Sequence, residues 1–98
     1  MSNYLLLWEV DPTKTPEDPK ERQQQWLTFE NTVLEQLKNT GLNGWGQFVG
    51  EINGYALFEG TEVELMTFTA LWVPFVKFSV RSIISIKQAI EATKAIAA

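Results

Sequence analysis

The chain contains no cysteine and no histidine. Without thiols there is no thiolate nucleophile, no disulfide and no iron–sulfur ligation; without imidazole, zinc-finger ligand sets and His-based acid–base catalysis are excluded. A metal could be held only by carboxylates and carbonyls, which suits magnesium or calcium. Basic residues are also scarce: eight Lys and Arg stand against twelve Asp and Glu, for a net charge of −4. Phosphate backbones and anionic membrane surfaces both select for basic patches, so this balance speaks against nucleic-acid and membrane partners. Long apolar runs are missing too. The longest, Ala70–Val76, is interrupted by Pro74, far short of the ~20 residues of a membrane span. The apolar stretch Tyr4–Trp8 has no basic flank and ends at Glu9, unlike a secretory signal. The expectation is a cytoplasmic protein with no cofactor.

What is present suits one small folded domain over residues 1–98. Of the 98 residues 45% are hydrophobic, with four Trp and six Phe among them. That is enough for a core, and more apolar surface than so short a chain readily hides.

The pattern along the chain predicts alternating strands and helices. Tyr4–Val10 reads as a strand closed by Asp11-Pro12. Asp18-Pro19-Lys20-Glu21 reads as a helix start, with Asp18 as cap, Pro19 in the first helical position and Glu21 completing a capping box. Trp26, Phe29, Val33 and Leu37, widened by Leu27 and Leu34, form an apolar stripe. Gly41 is expected as a left-handed helix cap. Strands Gly44–Glu51 and Tyr55–Glu59 flank Ile52-Asn53-Gly54, a hairpin signal. Thr61–Glu64 is a second capping box opening a helix with Leu65, Phe68, Leu71 and Trp72, which Pro74 should end or kink. Phe78–Ile84 reads as a fourth strand, and Ser85–Gln88 caps a short Ala-rich helix running to Ala97.

Two β-α-β halves joined by a hairpin fit a ferredoxin-like α+β sandwich: a four-stranded antiparallel sheet in the order 4-1-3-2, two helices on one face, and a short C-terminal helix. Alternation assigns Tyr4, Leu6, Trp8, Gly46, Phe48, Gly50, Ala56, Phe58, Phe78, Val80 and Ile84 to the helix-covered face. The opposite face receives Leu5, Leu7, Glu9, Trp45, Gln47, Val49, Glu51, Tyr55, Leu57, Glu59, Arg81 and Ile83. Its mixture of large apolar and polar groups suits a pocket or a protein interface.

With this element order the chain resembles the dimeric α+β barrel superfamily, which includes muconolactone isomerases, cofactor-free quinol-type monooxygenases and many uncharacterised families. The stretch Trp72–Ile90, with an aromatic-rich turn at Val73-Pro74-Phe75 leading into the last strand, looks like one of its uncharacterised domain families. A proline typical of that family's last strand is replaced near Ser82, and the superfamily's acid–base His is absent. The resemblance implies a homodimer in which two sheets pack open face to open face.

Glycines 41, 44, 46, 50, 54 and 60 follow a helix and surround a hairpin, and no Gly-Lys-Ser/Thr occurs. Turn chemistry and close helix-on-sheet packing account for them better than a phosphate loop. Gly54–Glu59 resembles the third-strand motif of RNA-recognition domains, but Asn53 and Leu57 stand where a basic and an aromatic residue belong. Asp11, Glu17 and Asp18 read as a solvated loop and a helix cap rather than a cation site.

The candidate pocket or interface residues are Glu9, Trp45, Gln47, Tyr55 and Arg81, with Glu51 and Glu59 nearby. Arg81 is expected to pair diagonally with Glu9, most simply as a salt bridge at a dimer interface. Two functions remain: a non-catalytic homodimer that binds a small apolar ligand or serves a structural role, and a cofactor-free isomerase or monooxygenase in which a Glu or Tyr dried by Trp and Leu neighbours moves a proton.

Overall fold

The computed structural model describes residues 2–96. Met1, Ala97 and Ala98 lie outside the described residues, and with them the expected end of the last helix at Ala97. Strand β1 (Ser2–Val10) is followed by a 3-10 turn (Pro12–Lys14) and helix α1 (Pro19–Asn39). Strands β2 (Leu42–Gln47) and β3 (Asn53–Gly60), helix α2 (Glu62–Ala70), strand β4 (Val76–Ile83) and helix α3 (Ile86–Ile96) complete the chain. The four strands form one antiparallel sheet in the order β2-β3-β1-β4, which reads β4-β1-β3-β2 from the opposite edge. This α+β arrangement is compatible with a ferredoxin-like fold.

Local chemistry sets the helix boundaries. Asp18 accepts from the Glu21 N–H at 3.1 Å. In α2, Thr61 accepts from the Glu64 N–H at 3.1 Å while Glu64 accepts from the Thr61 N–H at 2.9 Å. Ser85 and Gln88 make the same reciprocal pair at the start of α3. Helix α2 ends at Ala70, earlier than the sequence suggests. Pro74 explains it: a continued helix would drive its ring into the carbonyl four residues back, which is that of Ala70. Gly41 is not a left-handed cap; Thr40 caps α1, its hydroxyl and N–H both donating to the Gln36 carbonyl.

The core lies between the sheet and helices α1 and α2. Tyr4, Leu6, Trp8 and Val10 of β1, Ala56 and Phe58 of β3, and Val76 of β4 pack with Val33, Leu65, Phe68 and Trp72. The buried stripe of α1 is Trp26, Phe29, Val33 and Gln36, rotated away from the expected Leu27, Leu34 and Leu37, which are exposed. Gln36 is drawn inward because its Oε1 accepts from the Trp72 indole N–H at 3.2 Å. Helix α3 has no buried residue.

The hairpin departs from the sequence reading. Asn53 and Gly54 are not its turn but the start of β3. The turn is Phe48–Glu51, closed by the Glu51 N–H donating to the Phe48 carbonyl at 3.1 Å. Gly50, with φ +81°, sits at its third position, where a type II turn needs a left-handed residue. A register irregularity between Leu42 and Gly44 adds to the displacement. As a result the alternation of β2 is inverted relative to expectation.

Candidate functional site

Residues directly opposite one another in an antiparallel ladder share a face, so the register decides which side chains can meet. Leu5 lies opposite Leu57 and Arg81; Leu7 lies opposite Tyr55 and Ser79; Glu9 lies opposite Asn53 and Lys77. These residues, with Glu59 and Ile83 opposite Asn3, form the sheet face that no helix covers. Its apolar centre is wet on one side: Leu7, Tyr55 and Ile83 are 39%, 37% and 38% exposed.

Glycines make that centre continuous. Gly46 is opposite Tyr55 and Gly44 opposite Leu57. A Cβ at Gly46 would run into the Tyr55 ring, and one at Gly44 would sit 3.1 Å from a Leu57 methyl. These two glycines let large open-face side chains lie flat over β2. They do not serve helix packing, as the sequence suggested for the glycine-dense stretch.

Of the five candidate residues, the structure brings Glu9, Tyr55 and Arg81 to the open face and sends Trp45 and Gln47 to the other. Trp45 lies opposite Ala56 and Gln47 opposite Gly54, both on the helix-covered side. Trp45 stacks on Trp8 with ring centroids 5.1 Å apart and planes 11° from parallel. Gln47 reaches back to the turn, donating to the Glu51 carbonyl at 2.8 Å. The inverted β2 alternation is the cause. Glu51 and Val49 are turn residues, not strand residues.

The expected Glu9–Arg81 diagonal is absent from the register. Arg81 is opposite Leu5, while Glu9 faces Lys77. Lys77 and Arg81 are four positions apart in β4, about 13 Å at the rise of a strand. Lys77 is the charged residue opposite Glu9 that sequence reasoning missed, because the fourth strand was expected to start at Phe78. Starting it at Val76 puts Lys77, Ser79 and Arg81 on one face by simple alternation. Lys77 also contributes to holding the Asp11 carboxyl below its usual range, after the larger effects of the Thr13 hydroxyl and backbone N–H.

Two concavities flank this arrangement. At the Glu9 end of the sheet is a cleft of about 250 Å³ lined by residues including Leu7, Glu9, Phe48, Asn53, Lys77 and Ser79. Under α1 is an aromatic slot of about 30 Å³, walled by Trp8, Trp26, Phe29, Trp45, Trp72 and Phe78. The slot has room for little more than water. Its tightness follows from edge-on packing, with Phe29 at 5.5 Å from Trp72 and 6.3 Å from Trp26. Trp8 closes its floor by donating to the Tyr55 carbonyl at 3.1 Å.

The carboxylates Glu9, Glu51 and Glu59 are all exposed, so within one chain none occupies the dry surroundings that acid–base work at neutral pH requires. Among the described residues no cluster of three or more carboxylates could hold a metal ion, and no helix is long and apolar enough to cross a membrane. No family model matches the chain, and no curated protein matches it.

Proposed function

We propose that the chain works as a homodimer of the dimeric α+β barrel type, with two open sheet faces turned toward each other, and that it is a non-catalytic protein holding a small apolar ligand between the sheets or serving a structural role. The observation that carries this reading is the open face itself: Leu5, Leu7, Tyr55, Leu57 and Ile83 lie side by side on it, only partly covered. Contiguous apolar surface of this kind on a small domain marks a binding surface. Glu9, Lys77 and Arg81 rim it, and a polar rim around an apolar centre is the usual anatomy of an interface.

The alternative is a cofactor-free isomerase or monooxygenase using Glu9 or Tyr55. It requires that a second sheet enclose one of these groups, because each is open to solvent in the single chain. The non-catalytic reading requires no such group.

Sedimentation at micromolar concentration should give about twice the chain mass of 11.2 kDa. A single species of one chain mass at every concentration would remove the face-to-face dimer. Native mass measurement of unheated protein from its host would then show any retained ligand. Tyr55→Ala and Glu9→Gln should reduce that retention while leaving the fold intact, since both side chains lie on the uncovered face.

A further inference from the structure

Helix α3 leaves the sheet from edge strand β4 after only Ile84 and Ser85. It touches its own body so little that none of its residues is buried. Yet it is not built as a solvated helix. Ile86, Ala89, Ile90 and Thr93 recur at spacings of three and four, the period of a single buried stripe. Ile86 and Ile90 are nonetheless 76% and 47% exposed.

Three magnitudes say that something covers this helix. An 11-residue helix is marginal in water on its own, because nucleation costs more than so few hydrogen bonds return. The chain is also extended: its dimensions are 61 × 26 × 19 Å and its radius of gyration is 16.3 Å, against about 13 Å for a compact domain of this size. Finally, it exposes 7057 Å² of accessible surface, where a compact monomer of its mass exposes roughly 5,700 Å². The excess, on the order of 1,400 Å², exceeds the roughly 800 Å² that each partner contributes to a stable interface.

We propose that α3 is an exchange arm: in the two-chain assembly each copy's α3 docks its Ile86/Ile90 stripe on the second copy, at the end of the space between the two open faces. This rests on the face-to-face reading above and adds that the space is incomplete without the partner's arm. The geometry favours a second copy as occupant. The arm leaves from the Ile83 end of β4, where Ile83 lies opposite Asn3 and Asn3 opposite Glu59, and so begins at one end of the apolar open face. Charge agrees: α3 carries Lys87 and Lys94 against Glu91, while the chain as a whole is −4, so a positive arm meets an acidic body. Two lysines are too few for strong attraction to an anionic bilayer.

The test uses the full chain and two double variants. Ile86→Glu with Ile90→Glu should raise the monomer–dimer dissociation constant at least about a hundredfold, from exposing two Ile side chains on each of the two arms, with the strand amides still protected from exchange. Leu7→Lys with Leu57→Lys should dissociate the dimer through the open faces. If the leucine pair dissociates it and the isoleucine pair does not, the arm is overturned and the face-to-face dimer stands. If only the isoleucine pair acts, the face-to-face reading fails, and with it an arm closing the end of the space between the faces. Amide exchange on the unaltered chain decides independently of any variant: the amides of α3 should be protected in the dimer and exchange freely on dilution to monomer. Protection independent of concentration would place α3 on its own body and overturn the proposal. So would protection appearing only with anionic phosphatidylserine vesicles.

Discussion

The two faces of the sheet are built from the same four strands and obey different rules. On the helix-covered face the central positions of β1 and β3 are filled by side chains that something else presses on: Leu6 is 0% exposed and Phe58 is 2% exposed beneath Phe68, with ring centroids 5.2 Å apart. At the β4 edge of the same face, Val80 is 44% exposed. On the open face the neighbours in sequence, Leu7 and Leu57, keep solvent contact. Adjacent residues of one strand therefore differ in what they do. One set holds the fold, and the other is left to an external partner. A sheet with one face packed and one free has stability and binding written on alternate residues.

The sharpest way to break this contrast is to truncate neighbours. Phe58→Ala should cost about 3–5 kcal/mol, since its ring is enclosed and the cavity cannot collapse around a helix-clamped site. Leu57→Ala, one residue away and half-covered, should cost about 1 kcal/mol in the monomer and show its larger effect on dimerisation. Chemical denaturation below the dissociation concentration measures both. Equal losses would mean that the open face is folded under cover already within one chain.

Glycines sharpen the same comparison with a smaller effect. A Cβ at Gly54 meets the buried Trp8 ring at 2.6 Å and the β2 backbone, neither of which can withdraw. Gly54→Ala should therefore destabilise by about 2–3 kcal/mol. Gly46→Ala meets only the far end of the Tyr55 ring, which is exposed enough to swing aside, and should cost under about 1 kcal/mol. If Gly46→Ala proved the more damaging, the Tyr55 ring would be held by contacts beyond those seen in the single chain.

The smallest effect concerns how α2 is fastened over the core. The backbone N–H and hydroxyl of Thr61 hold the Glu64 carboxyl below its usual value of 4.5. A carboxylate whose pKa is lower in the folded than in the unfolded state contributes stability that is fully present above the unfolded pKa. That contribution is lost as pH falls through the folded value. Melting temperature should thus drop on acidification from pH 5 downward, and Glu64→Gln should flatten that limb while leaving the acid end unchanged. An identical limb in the variant would assign acid sensitivity elsewhere, with Asp11, lowered by Thr13, the next group to test.

Much of this molecule was legible before its structure. The three capping sites, the element order, the exclusion of thiol and imidazole chemistry and the covered set Tyr4, Leu6, Trp8, Ala56 and Phe58 all follow from interactions between residues two to four apart or from strict alternation. Such signals are local, so the chain carries them wherever it goes. What only the tertiary structure decided was register. Whether Asn53-Gly54 or Phe48–Glu51 makes the turn depends on which pairing buries more on both partners, and a displacement of one residue exchanges the faces of an entire strand. Trp45 and Gln47 moved off the candidate site for that reason, Glu9 came to face Lys77 rather than Arg81, and α3, helical by its own caps and stripe, was left without anything of its own chain to cover it.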